Sequence, residues 1–213
     1  MVLMKGRFIA LEGGEGTGKS TQSALLAEAL RARGIQVDTT REPGGTPGAE
    51  AIRGLLLDPP GEGWGAEAEA LLFAAARSDH VAQRIMPGLD AGTWVICDRF
   101  VDSSRAYQGG AGGLGDTAIE ALHNFGSAGI RPDLSVLLEV EEARIAHRLD
   151  ARDGNESDAI GGRSMEYHRA VAASFRTLAE NDPGGFVVVD GNGTPEEVHA
   201  RILAVVAPFL DAQ

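Results

Sequence analysis

The chain has 213 residues, 43% of them apolar, which is enough for one domain with a real core. Its formal net charge of −12 argues against a nucleic-acid duplex as partner, since that affinity rests on basic patches, but leaves room for a small anion held by a few converging cations. Cys97 is the single cysteine, so no intrachain disulfide can form. With no apolar run near the roughly 20 residues that span a bilayer and no signal-peptide pattern over 1–12, the expectation is a cytoplasmic protein without a membrane partner.

In chain order, residues 8–11 read as a strand. A helix follows over 19–33, with Leu25, Leu26 and Leu30 on one face and Gly34 as its stop. A weaker strand is expected at 37–40, a short helix at 49–57, and a long helix at 67–89 that bends or ends near Pro87. Residues 94–97 form a buried strand ending at Asp98, and 117–125 a helix. Next come a strand at 134–138, a helix at 141–151, an aperiodic polar stretch at 152–163, a helix at 165–180 and a strand at 186–189. Thr194, Pro195 and Glu197 then open the last helix, as N-cap, first-turn proline and capping-box acid. Strands alternating with helices imply an α/β fold, with a five-stranded parallel sheet and helices on both faces. No linker or repeat interrupts residues 1–213, so a single domain is expected, with 152–163 as a lid.

Gly13-Gly14-Glu15-Gly16-Thr17-Gly18-Lys19-Ser20 fits the phosphate-binding pattern G-x-x-x-x-G-K-[ST], with a strand before it and a helix after. Glycines let the backbone aim its N–H groups inward, and the helix amino end adds partial positive charge. Lys19 is one of only two lysines among 19 cations, the other being Lys5. It should reach the β- and γ-phosphates of ATP, Ser20 should hold Mg²⁺, and Thr21 completes the ATP-binding set. The motif makes the architecture a three-layer P-loop NTPase sandwich. It does not by itself separate kinase, ATPase and GTPase. No Asn-Lys-x-Asp guanine motif exists, and the loop lacks the extra lysine of partition-type ATPases.

Three further clusters suggest a second site. They are Thr40-Arg41-Glu42-Pro43-Gly44-Gly45-Thr46 with Arg53 after it, Phe73-Ala74-Ala75-Ala76-Arg77, and Asp98 through Gly110. Phe73 and Arg77 share a helix face, where a ring and a guanidinium can stack on a base and hydrogen-bond its edge. Asp98 and Arg99 follow a buried strand, at the edge where parallel sheets bind ligands.

With R-E-P-G-G-T at 41–46, R-x-L-L-L-D at 53–58, A-A-R at 75–77, D-R at 98–99, A-Y-Q-G-G at 106–110 and R-P-D-L at 131–134, the sequence resembles bacterial thymidylate kinases over nearly its whole length. The resemblance implies ATP + dTMP → ADP + dTDP with Mg²⁺, in a homodimer. It implies that Phe73 stacks on thymine, Arg77 hydrogen-bonds the base, and Arg53 and Arg99 hold the acceptor phosphate. Tyr107 then lies against the sugar, Ser104 and Gln108 line the base pocket, Glu15 contacts the 3′-hydroxyl, and Asp98 sits near Mg²⁺. Where other forms carry an arginine inside the phosphate loop this chain has Gly16, so a catalytic arginine is expected from the lid. The lid departs from the D-R-x-E pattern of many relatives, with Ala159 and Gly161 at the arginine and glutamate positions. Arg152, with Arg148 beside it, is therefore expected in the main role and Arg163 as the replacement cation. Lys19, Arg99 and these arginines complete the catalytic set. A phosphate oxygen is already a competent nucleophile, so no general base is expected.

Overall fold

The computed structural model describes residues 6–145, 148 and 159–211. Five parallel strands form one sheet in the order β2-β3-β1-β4-β5. They are β1 (Phe8–Glu12), β2 (Val37–Arg41), β3 (Trp94–Asp98), β4 (Leu134–Glu139) and β5 (Phe186–Asp190). β1 is buried along its whole length, as expected of a central strand covered on both faces. Its side chains alternate between two cores. Ile9 and Leu11 pack with Leu26 and Leu30 of α1 (Lys19–Arg31) and with residues of the last helix. Phe8 and Ala10 face Val81, Ile85, Phe100 and Ile119 on the other side.

Helix α2 (Pro47–Leu57) opens on Thr46, whose hydroxyl accepts from the Ala49 N–H. The long helix expected at 67–89 is one continuous run: α3 (Ala66–His80), a π-helical turn (Val81–Ile85), and α4 (Met86–Asp90). Pro87 falls in the first turn after the widened one, where a missing N–H costs little. Further on are α6 (Asp116–Ser127), α7 (Met165–Asn181) and α8 (Pro195–Asp211). The capping box is formed: Thr194 N–H donates to Glu197 Oε2 at 2.8 Å and Glu197 N–H to Thr194 Oγ1 at 3.3 Å. Of the helix expected at 141–151, residues 142–145 and 148 are helical, Glu141 lies just before them, and 146–147 and 149–151 lie outside the described residues.

One helix was not anticipated. α5 (Val101–Ser104) continues as a π-helical turn, Arg105–Ala111, where sequence patterning suggested only a cluster of site residues. Paired glycines and polar side chains hide its periodicity, and its cap comes from another strand. Glu12, at the end of β1, accepts from the Phe100 N–H at 2.8 Å and from Ser103 Oγ at 2.6 Å. A cap donated across the sheet leaves no local sequence signature.

Candidate active site

A cavity of about 560 Å³ opens beyond the carboxyl ends of β1 and β3, beside the point where strand order reverses. Among the described residues six cations line it, Lys19, Arg41, Arg53, Arg77, Arg99 and Arg148, against three carboxylates, from Glu15, Glu42 and Asp98. In a chain of net charge −12 this is a local reversal of sign, suited to a small polyanion.

The phosphate loop forms one end. Gly13 has φ 135°, and a Cβ there would lie 2.7 Å from the Leu138 carbonyl oxygen, so the loop cannot carry a side chain at this point. Gly18, at φ 94°, leads into α1 without a side-chain cap, which leaves the first N–H groups of the helix facing the loop. Lys19 Nζ donates to the Gly14 carbonyl at 2.6 Å and to Thr17 Oγ1 at 3.3 Å; Thr17 Oγ1 in turn donates to the same carbonyl at 3.0 Å. Burial, followed by the nearby charge of Arg99, pushes the Lys19 ammonium down to about 8. Gly16 and Thr21 also line the cavity. Arg148 reaches the loop from the far side, donating to the Gly16 and Thr17 carbonyls at 3.2 and 3.3 Å.

Ser20 Oγ donates to Asp98 Oδ2 at 2.5 Å. A hydroxyl and a carboxylate are hard oxygen ligands of the kind Mg²⁺ takes, and the pair fits that ion. Among the described residues no cluster of three His, Cys, Asp or Glu side chains could cage a metal, so an ion here would share its shell with a ligand's phosphates and water.

The other end is built from side chains. Arg99, at φ 71°, connects the two ends. It donates to the Gly13 carbonyl at 2.8 Å, pairs with Glu15 at 2.5 Å, and lies over the Tyr107 ring with its guanidinium carbon 5.1 Å from the centroid. Arg77 is buried; its Nε donates to Glu42 Oε2 at 2.7 Å and its Nη2 to Ser104 Oγ at 2.9 Å. Phe73 stands one turn before it and lines the same cavity. Arg53 donates to the Pro43 carbonyl at 2.8 Å, and Gln108 Nε2 donates to Glu69 Oε1 at 2.8 Å.

The structure thus brings together fourteen expected residues: Glu15, Gly16, Gly18, Lys19, Ser20, Thr21, Arg53, Phe73, Arg77, Asp98, Arg99, Ser104, Tyr107 and Gln108 all line one cavity. Gly13, Gly14 and Thr17 shape the loop behind it. Two lid expectations differ in outcome. Arg152 lies outside the described residues. Arg163 does not line the cavity; it is ion-paired with Glu69 and donates to Tyr167 Oη at 2.5 Å, so its charge is spent away from the phosphate loop.

Sequence reasoning missed the carboxylates behind the site. Glu12, Glu42 and Glu69 are 0%, 5% and 8% exposed, and each accepts from a residue of the cavity wall or its immediate support. Burial, then the charge of Asp102, pushes the Glu12 carboxyl up to about 8. Glu42 also meets His80 Nδ1 at 3.0 Å, and His80 Nε2 meets Thr40 Oγ1 at 2.7 Å, both within the protein interior. A signal was there to be read. Glu69, Phe73, Arg77 and His80 are spaced by four, four and three on α3, a single face. Glu12 ends an otherwise apolar strand.

A family model described as thymidylate kinase matches residues 11–202. The thymidylate kinase of Rhizorhabdus wittichii is 54% identical over 207 residues, covering 97% of this chain and all of that one. That of Afipia carboxidovorans is 48% identical over 199 residues, covering 93% and 87%. The crystal structure of thymidylate kinase from Ehrlichia chaffeensis superposes with a TM-score of 0.75 at 30% identity, over 95% of this chain and 99% of that one. With the phosphate loop, the acceptor-side clusters and the fold in agreement, the chain belongs to the thymidylate kinase family.

Proposed function

We propose that this chain transfers the γ-phosphoryl group of ATP to dTMP, releasing ADP and dTDP. One observation carries the reading. Arg99 touches the phosphate loop through Gly13 and Glu15 and the acceptor wall through Tyr107, so a single guanidinium spans the junction where two phosphate groups would meet. An oxygen of the dTMP phosphate attacks the γ-phosphorus, the bond to the β,γ-bridging oxygen breaks, and ADP leaves with its electron pair. Nothing in this step requires a strong base. It requires positioning and neutralisation of charge.

Lys19 supplies the compact cation at the β- and γ-phosphates, with the loop N–H groups and the amino end of α1 around it. Mg²⁺, when bound, would be held by Ser20 with Asp98 beside it, and would offset phosphate charge. Arg148, already against the loop carbonyls, takes the role of a lid cation beside Arg152, which the sequence reading places in the main role. On the acceptor side Phe73 stacks on the base and Arg77 and Gln108 read its edge. Arg53 and Arg99 hold the phosphate, Tyr107 excludes a ribose 2′-hydroxyl, Ser104 lines the base pocket, and Glu15 reaches the 3′-hydroxyl.

We take the enzyme as one kinase domain acting as a cytoplasmic homodimer. The exposed apolar side chains Leu71 on α3 and Phe125 on α6, two helices packed together beside the sheet, support a self-association surface there. Among the described residues no helix is long and apolar enough to cross a membrane. Coupled ADP-release assays with dTMP, dUMP, UMP and no acceptor test the activity. Rapid turnover with dTMP, less with dUMP and little with UMP is expected. ATP turnover indifferent to dTMP would overturn the reading.

A further inference from the structure

Arg163 sits at a junction that its distance from the phosphate loop does not explain. Its Nη2 pairs with Glu69 Oε2, its Nη1 donates to Tyr167 Oη at 2.5 Å, and it lies over the Tyr167 ring, 4.7 Å from the centroid. Each branch continues to the cavity wall. Glu69 Oε1 accepts from Gln108 Nε2 at 2.8 Å, and Tyr167 Oη donates to the Tyr107 carbonyl at 3.0 Å. One guanidinium therefore holds two adjacent wall residues, each through one intervening side chain. The preceding residues are docked as well: the Ala159 N–H donates to the Leu57 carbonyl at 3.3 Å, and Ile160 is buried at the cavity edge.

The Glu69 contact has a chemical consequence. An ion-paired carboxylate only accepts hydrogen bonds, so the amide of Gln108 must turn its NH₂ toward Glu69. Its carbonyl oxygen is then the group left for the cavity that Gln108 lines. Four residues earlier on the same helix Ser104 holds Arg77, whose Nη1 has no acceptor among the described residues. The wall thus offers a donor from Arg77 and an acceptor from Gln108. A pyrimidine edge that carries a carbonyl beside an N–H, as in thymine and uracil, complements this order. Cytosine presents the reverse.

We propose that Glu69 and Arg163 are positioning residues that fix the hydrogen-bond polarity of the base pocket, so that an N3–H pyrimidine is accepted and a cytosine nucleotide refused. The proposal rests on the kinase reading above. It makes Arg163 a determinant of acceptor choice in a stretch of chain expected to supply catalytic charge.

The test compares kcat and KM for dTMP and dCMP in wild type, Glu69→Gln, Arg163→Ala and Arg163→Lys, with KM for ATP measured alongside. A neutral amide at position 69 can present either face to Gln108 and frees its orientation. In Glu69→Gln the dTMP-to-dCMP ratio of kcat/KM should fall at least about tenfold, through a higher KM for dTMP, while KM for ATP holds. Arg163→Ala should move the ratio in the same direction by less, and Arg163→Lys should recover part of it. Arg163 is partly exposed, so its variants remain readable if Glu69→Gln folds poorly. A purely structural role would lower use of both acceptors in proportion, and a catalytic role for Arg163 would lower kcat at unchanged KM. Either result, or ratios within twofold of wild type in both Glu69→Gln and Arg163→Ala, would overturn the proposal. Failure of the wild type to use dTMP at all would instead sink the kinase reading.

Discussion

The two ends of the cavity are held by different means. At the phosphate end, eight consecutive residues do the work, and most of their contacts run through main-chain atoms: Lys19 and Thr17 fold onto the Gly14 carbonyl, and Arg99 and Arg148 onto those of Gly13, Gly16 and Thr17. At the base end the wall comes from α3 and the helical run from Val101 to Ala111; Arg77 and Gln108 each have a buried acid behind them, and a third, Glu12, holds Ser103 at the start of the run. The first end depends on which residues can make a tight turn. The second depends on ion pairs that form only after distant segments meet. Damage should therefore separate along this line, with substitutions in the loop striking the chemical step and substitutions behind the wall striking acceptor affinity and stability.

The largest separation is expected from Lys19→Met. Loss of the compact cation should lower kcat by roughly 10²–10³-fold, while dTMP affinity, measured by calorimetry, stays within a few-fold of wild type. A comparable loss of dTMP affinity would mean that the two ends are not independent. Glu42→Gln attacks the other end. It leaves the Arg77 guanidinium, 3% exposed, without its counter-ion, and breaking such a buried pair costs about 3–5 kcal/mol. The melting temperature should drop and KM for dTMP rise at least about tenfold, with KM for ATP little changed.

Glu12 offers a subtler probe, because it stands beneath both ends. Its folded-state value near 8 lies above its value in an unfolded chain, near 4.5. Between these limits the folded protein keeps a proton that the unfolded chain has released. Folding stability should accordingly fall as pH rises through this window and level off above about pH 8. In urea titrations between about pH 5 and pH 8, the stability of wild type relative to Glu12→Gln should fall as pH rises. Parallel curves would show that Glu12 titrates normally. The smallest effect is assigned to Thr194→Ala, at the amino end of α8, remote from either mechanism. It should cost about 1 kcal/mol of stability and leave both KM values unchanged.

The same division explains what could be read in advance. Five strands, their parallel arrangement, the phosphate loop and the capping box at Thr194 are local or periodic signals, and each appears within a few residues of its expected position. On the acceptor side the wall residues could be named only by resemblance, and their supports were not named at all. Glu42 was in view within R-E-P-G-G-T, yet its meaning depends on Arg77 and His80, 35 and 38 residues further along the chain. The helical run from Val101 was hidden because its cap, Glu12, belongs to a strand 88 residues away from Phe100. Arg163 was expected to act where cations are needed; Glu69, with a carboxylate already committed to Gln108, holds it elsewhere.

The π-helical turn Arg105–Ala111 carries Tyr107 and Gln108, and it is pinned at both ends. Glu12 holds its start through Ser103. Near its finish, a Cβ on Gly110 would meet Ser174 Oγ of α7 at 2.1 Å, so that helix is already in contact with bare backbone. Between two fixed points, the number of residues sets which way each side chain faces. Removing one would restore an ordinary turn and swing Tyr107 or Gln108 through about 100°, out of the pocket. New acceptor preferences on this scaffold are therefore reached by exchanging side chains at constant length, and a family variant of altered length here should have lost thymidylate as its substrate or rebuilt the contact with α7.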